Sequence, residues 1–315
     1  MIRMEKRDPY SVYRKGAGMN KLSEHEYTTY PRKFDAYRWY KPLAVGALFS
    51  VFFLVLGFLS GPITKLLFGS AVSQSGGYDD MDFYTSAGAF STCYEAVIPI
   101  LCLLLAVLIV RDRPFSSYLS SMGGWRWDVF LKTFAGGLLF VGVPTAVWHL
   151  MQGSSGVIHF TAGGFILLTL LGPLQGVAEE LVYRGYIMQT VSSWFRLPVA
   201  GIIAQAILFA AVHPYNVIGV INIFAAGIIY ALICVYTKGI EAGSALHIIN
   251  NMTTIYMSGF GFGAITSEQS ISEVLLENAV KIAFFIFIII ASKKFHWFDE
   301  VKYDDAAGFN AKKKK

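Results

Sequence analysis

Residues 133–178 contain no Asp, Glu, Lys or Arg, and the same holds for 42–64, 197–237 and 242–267. Such runs are longer than a soluble core helix needs. About 20 apolar residues cross a bilayer, so each of the two longest runs has room for two crossings. Hydrocarbon gives an open backbone no hydrogen-bond partner, which restricts spanning structures to helices and closed barrels. These runs are long and do not alternate as barrel strands do. An all-α, polytopic helical membrane protein follows. Only 15% of the 315 residues are charged and 55% are hydrophobic, whereas a soluble domain carries about 25% charged residues.

The runs place eight transmembrane helices, near 43–59, 96–110, 134–149, 160–178, 199–212, 217–236, 243–260 and 274–291. Residues 1–42 form an N-terminal tail, 43–292 the eight-span membrane domain with a core near 160–260, and 293–315 a basic C-terminal tail. Lys and Arg should gather on cytoplasmic segments. Ten lie in the first 42 residues, seven follow the last span, and Arg111, Arg113, Arg126, Lys132, Arg184, Arg196 and Lys238 fall on the even-numbered returns. Asp79, Asp80, Asp82, Glu268 and Glu273 mark the opposite side. Both termini are therefore expected in the cytoplasm, the protein in the cell membrane, and the first span as its own insertion signal.

The net charge of +5 is accounted for by this sidedness and by contact with anionic membrane lipid, without nucleic acid. Residues 112–131, aromatic and charged around a Gly-Gly break, read as an interfacial segment, and Lys312–Lys315 as a solvated or lipid-touching tail. Cys93, Cys102 and Cys234 are too few and scattered for a disulfide framework or thiolate metal cluster.

Ionisable groups inside spans cost about 2.5–3.5 kcal/mol each on insertion scales, which makes the exceptions informative. Glu277 and Lys281, four apart, read as a self-neutralising structural pair. Three other places remain: Glu179, Glu180 and Arg184 after the fourth span, His213 after the fifth, and His247 with Asn250 and Asn251 in the seventh. Adjacent helical carboxylates point about 100° apart and should not both face one partner. Glu180 stacks with Arg184 at i,i+4, leaving Glu179 freer for chemistry, and His247 and Asn251 share a face. Taken singly, each group has an ordinary explanation as a salt bridge or an interhelical hydrogen bond. Taken together, one carboxylate and two imidazoles form the ligand set of a catalytic zinc with an open water position, and a second acid can take the proton of that water.

Glu179-Glu180 with Arg184, Phe209 with His213, a span holding Phe224, Gly227 and Tyr230, then His247 with Asn251 resemble, in that order, the CAAX-protease and bacteriocin-processing family. Its members are intramembrane endopeptidases related to type II CAAX prenyl endopeptidases. The resemblance covers 170–255. It implies about eight spans, a cavity opening towards the cytoplasm, and hydrolysis of a peptide bond in a membrane-associated peptide or protein. It also implies roles: Glu179 activates water, His213 and His247 bind metal or polarise that water, and Asn251 stabilises the oxyanion. A divalent metal, preferably zinc, held by Glu179, His213 and His247 is expected, since zinc lowers the pKa of bound water to about 7. A glutamate-histidine site without metal is the alternative. A non-enzymatic scaffold or immunity-type binding protein of the same fold is the competing function, and a transporter the third.

Counting from the turns between helices exposes a geometric demand. Glu179 and His213 lie level, about 25 Å from the turn near 196–198, whereas His247 lies about 10 Å from the turn near 238–243. For the three to meet, the helices around 183–196 must project well beyond the bilayer.

Overall fold

The computed structural model describes residues 26–69 and 82–313. These residues form helices and turns, with isolated bridges only at Ser120–Gly239 and Ser154–Phe262. Residues 1–25, Asp79, Asp80 and the side chains of 312–315 lie outside the description, and so does what was expected of them.

Eight helical rods run alternately between two ends of the molecule. They are α1 (Lys41–Phe68), α2 (Ser86–Val110), α3 (Trp127–Met151), α4 (Ala162–Phe195), α5 (Pro198–Ala211), α6 (Val217–Thr237), α7 (Glu241–Gly259) and α8 (Ile271–Phe295). Six are long and apolar enough to cross a membrane, and α5 is apolar but shorter. The less apolar α7 is buried without interruption from Glu241 to Ile249, packed on α3, α4 and α6. A helix enclosed by others needs no lipid-facing stripe. A ninth helix, α9 (Asp305–Lys313), follows the bundle.

Helix ends follow one grammar. The four returning helices α2, α4, α6 and α8 start on side-chain caps, where Thr85, Thr161, Asn216 and Ser270 accept from Gly88, Gly164, Gly219 and Glu273. They stop at Arg111, Arg196, Lys238 and His296, all left-handed with φ between 51° and 60°. A basic side chain at a helix C-terminus also suits the helix dipole. The charge asymmetry read from sequence thus coincides with the C-terminal stops of the returning helices. Interruptions have equally local causes: Pro62 has no N–H for the carbonyl of Phe58 where α1 breaks, and Pro144 follows the π-turn Leu138–Gly142 in α3.

Three expectations change. Helix α2 begins ten residues before the expected 96, because Glu95 interrupted the uncharged run yet sits half-buried within the helix. Helix α4 does not end at 178 but continues through a π-helical stretch, Leu181–Met188, to Phe195. Its 34 residues span about 50 Å, which supplies the projection that the level of His247 demanded. Finally, 112–131 is no interfacial raft. Asp112, Arg113, Tyr118, Met122 and Arg126 are buried, Ile240 donates to Leu119 and Ser121 to Lys238, and Trp127 opens α3. Arg126 makes a two-pronged pair with Glu241 at 2.9 and 2.8 Å and donates to the carbonyl of Thr237. Its charge is satisfied inside protein, and this fixes the start of α7.

Candidate active site

Where α4, α5, α6 and α7 meet, Phe209 is the apolar hub. Its ring lies 4.6 Å from His213, 6.0 Å from His247 and 4.9 Å from Tyr183. The Arg184 guanidinium is held between the rings of Phe209 and Tyr230, at 4.5 and 5.1 Å. Helices α5 and α6 approach closely at Gly227, where a Cβ would stand 3.1 Å from the Ala206 backbone. The Gly227 carbonyl accepts from Gln205 at 2.9 Å and from Arg184 at 3.4 Å.

Glu180 is completely buried and receives Arg184 Nη1 at 2.9 Å, as the i,i+4 spacing indicated. The same oxygen lies 3.0 Å from Nδ1 of His247, and the Cys234 thiol approaches the other at 3.6 Å. Glu179, only partly buried, receives Gln175 at 3.0 Å on Oε1. Its Oε2 has no hydrogen-bond partner and lies 3.6 Å from Nε2 of His247. The expectation that adjacent carboxylates cannot share a partner is therefore wrong here. The two imidazole nitrogens point away from each other, so one ring lying between the carboxylates meets both, at the end of the α-helical part of α4 and just before its π stretch. Tyr230 stacks on that ring at 5.0 Å and 10° between planes.

Donating Nδ1–H to Glu180 leaves Nε2 as the nitrogen of His247 that faces Glu179. His213 places Nδ1 2.6 Å from the Phe209 carbonyl; since a carbonyl only accepts, Nδ1 bears the proton and Nε2 is free to accept. Asn250 donates to Oδ1 of Asn251 at 3.2 Å, which leaves the amide nitrogen of Asn251 as its donor end. His213, His247 and Asn251 line one cavity of about 170 Å³, shared with Gln175 and, on α8, with Glu277 and Lys281; Glu179 is not in its lining and adjoins it through its contacts with Gln175 and His247. Sequence reasoning missed Gln175, although its i−4 spacing from Glu179 was visible, and it missed that Glu277 and Lys281 face this cavity.

The expected metal set does not fit as placed. Among the described residues no three His, Cys, Asp or Glu side chains gather to hold an ion. Both nitrogens of His247 already face carboxylates, and Nδ1 of His213 is committed to a carbonyl. The opening also departs from expectation. The cavity runs out to exposed Ala264 and Glu268, at the end of the bundle opposite the segments that precede α1 and follow α8. An opening towards the cytoplasm and termini in the cytoplasm cannot both hold for this arrangement.

Residues 162–253 match the family model of the type II CAAX prenyl endopeptidases, Rce1-like. The chain is also similar to the uncharacterized protein YyaK of Bacillus subtilis (strain 168), at 26% identity over 160 residues, covering 47% of this chain and 54% of YyaK. The chain thus spans about half the length of that curated relative. No solved structure matches it. The matched stretch contains Glu179, Glu180, Arg184, His213, His247 and Asn251.

Proposed function

We propose that this chain, a multi-pass helical membrane protein whose residues 162–253 match the Rce1-like type II CAAX prenyl endopeptidase model, hydrolyses a peptide bond of a membrane-associated peptide or protein. The observation that carries this reading is the unpartnered Glu179 Oε2 facing Nε2 of a histidine whose other nitrogen is fixed by Glu180.

A water in the cavity gives one hydrogen to Glu179 and holds the other towards Nε2 of His213, leaving a lone pair for the substrate carbonyl. As the oxygen–carbon bond forms, the proton passes to the Glu179 carboxylate and the carbonyl π electrons move onto oxygen. The Asn251 amide donates to that oxyanion, the kind of contribution worth about a hundred- to a thousandfold in rate. Collapse of the tetrahedral intermediate breaks the carbon–nitrogen bond, and protonated Glu179 returns its proton to the leaving amine. Glu180, with Arg184 behind it, holds His247 in one tautomer beside Glu179, and Gln175 orients Glu179.

Membrane peptidomes of cells expressing wild type or Glu179→Gln, followed by cleavage of the enriched peptides in proteoliposomes, test the proposal. Products that depend on Glu179 are expected, and turnover should survive treatment with a chelator. Identical peptidomes, with no hydrolysis above the Glu179→Gln background, would refute it.

A further inference from the structure

Helix α8 lies beyond the stretch that matches the family model, yet it builds the cavity wall facing the histidines. Its polar groups are not an isolated i,i+4 pair. Asn222 of α6, fully buried, donates to Glu277 Oε2 at 2.9 Å, and Lys281, 1% exposed, donates to the same oxygen at 2.7 Å. Asn278 donates to Asn222 at 2.7 Å and braces it from behind. Both donors to the Glu277 carboxylate, Asn222 and Lys281, converge on Oε2. The other oxygen, Oε1, accepts no hydrogen bond from the described residues, and the Glu277 side chain remains 30% exposed to the cavity.

A merely structural pair would face away from the working space or spend both oxygens on the protein. Here the lysine is almost wholly buried and neutralised by the carboxylate, and the carboxylate keeps its second oxygen for whatever occupies the cavity. The charges along the path agree. Glu268 and Glu273 line the cavity nearer its opening and use only Oε2 on the protein's own donors, Asn216 and Ser270. Against three carboxylates, Lys281 is the single Lys or Arg of the lining, so the space favours a cation over an anion or an uncharged chain. The reading rests on the proposed proteolysis, which requires a peptide segment in this cavity.

We infer that Glu277 is a specificity-determining residue: it receives an ammonium or guanidinium of the substrate, so the preferred peptide places a basic group within reach of α8 when its scissile bond lies at Glu179. That cation is either a Lys or Arg side chain or a peptide N-terminus, and the same experiment separates the two.

Peptide series identical except for Lys, Arg, norleucine or Glu at each position, with free or acetylated N-termini, would be assayed on the full chain in proteoliposomes. Their binding would be measured in parallel on the Glu179→Gln protein. At one position, Lys or Arg should exceed norleucine by tenfold or more in kcat/KM and in affinity. Loss of the preference on acetylation alone would assign the cation to the N-terminus. Because Glu277→Gln leaves Lys281 buried without its counter-charge, the double change Glu277→Gln with Lys281→Met is the decisive variant. It should flatten the preference for Lys or Arg over norleucine to within threefold. Glu179-dependent cleavage with no basic preference, or a preference that survives the double change, would overturn the inference while leaving the proteolytic reading standing. Absence of cleavage together with Glu277-dependent binding of basic peptides would refute the proteolysis instead; absence of both would refute both.

Discussion

Glu180 and Arg184 form a buried pair with no water to replace a lost partner, so removing either leaves a charge alone at a cost of about 3–5 kcal/mol. Arg184→Ala and Glu180→Ala are therefore expected to lower the yield of folded protein alike, as read by monodispersity in detergent, whereas Glu179→Gln should leave it near wild type. Equal loss in all three would undo this division of labour. Gly243 tests the link to His247 more gently. A Cβ there would stand 2.9 Å from Glu180 Oε2 and 2.8 Å from the Cys234 sulfur, and Glu180 cannot yield without disturbing its contacts to Arg184 and His247. Misplacing a catalytic group by about 1 Å can cost a hundredfold. Gly243→Ala should thus lose tenfold or more in kcat while keeping its fold and its KM, and unaltered kcat would show that Glu180 does not set the position of His247.

The projecting half of α4 is held by the segment that precedes α1 and by the first turn of α1. Arg32 donates to Ser193, Trp194 to Trp39 and Tyr186 to Pro42. Helix α9 in turn packs on the N-terminal segment through Phe34 and Phe309 and pairs Asn310 with Asp35 and Lys33. Asp305, at the start of α9, accepts from Ser116 at 2.7 Å while its second oxygen is buried without a partner. Burial first, and then Asp304 beside it, push its carboxyl up to about 6. A raised folded-state value means that docking favours the protonated acid. This stabilisation is complete below the ordinary value of 3.8 and is lost as pH rises through about 6. The hydrogen-exchange protection factors of 299–311, which divide out the intrinsic rise of exchange with pH, should accordingly fall between pH 4 and 6 in wild type, and Asp305→Asn should remove that fall. An identical profile in both proteins would place the titration elsewhere.

Eight passes put 26–40, 111–126, 196–198, 238–240 and 296–313 at one end, and 152–161, 212–216 and 260–270 at the other. Single cysteines at exposed positions 155 and 308 should then label from opposite sides of the membrane; the three native cysteines are buried. With the basic end inside, position 155 and the mouth of the cavity face outward. Labelling of position 308 from outside would reverse the orientation, and labelling of both from one side would break the eight-pass arrangement.

Uncharged runs alone determined the helical membrane fold and its eight rods, because a chain without backbone partners in hydrocarbon has few ways to satisfy itself. They also singled out Glu179, Glu180, Arg184, His213, His247 and Asn251, since ionisable groups in such runs are too costly to be incidental. Tertiary structure decided what spacing along one helix could not. His247 lies between both glutamates because the contact is made across two helices. Helix α4 runs on past its charges because α6 and α7 satisfy them, which a count of apolar residues cannot register. Arg126 reaches Glu241 across 115 positions, and Glu277 faces the histidines only because α8 closes the cavity. Each depends on pairing between distant segments, and hydropathy is blind to which charges find a partner.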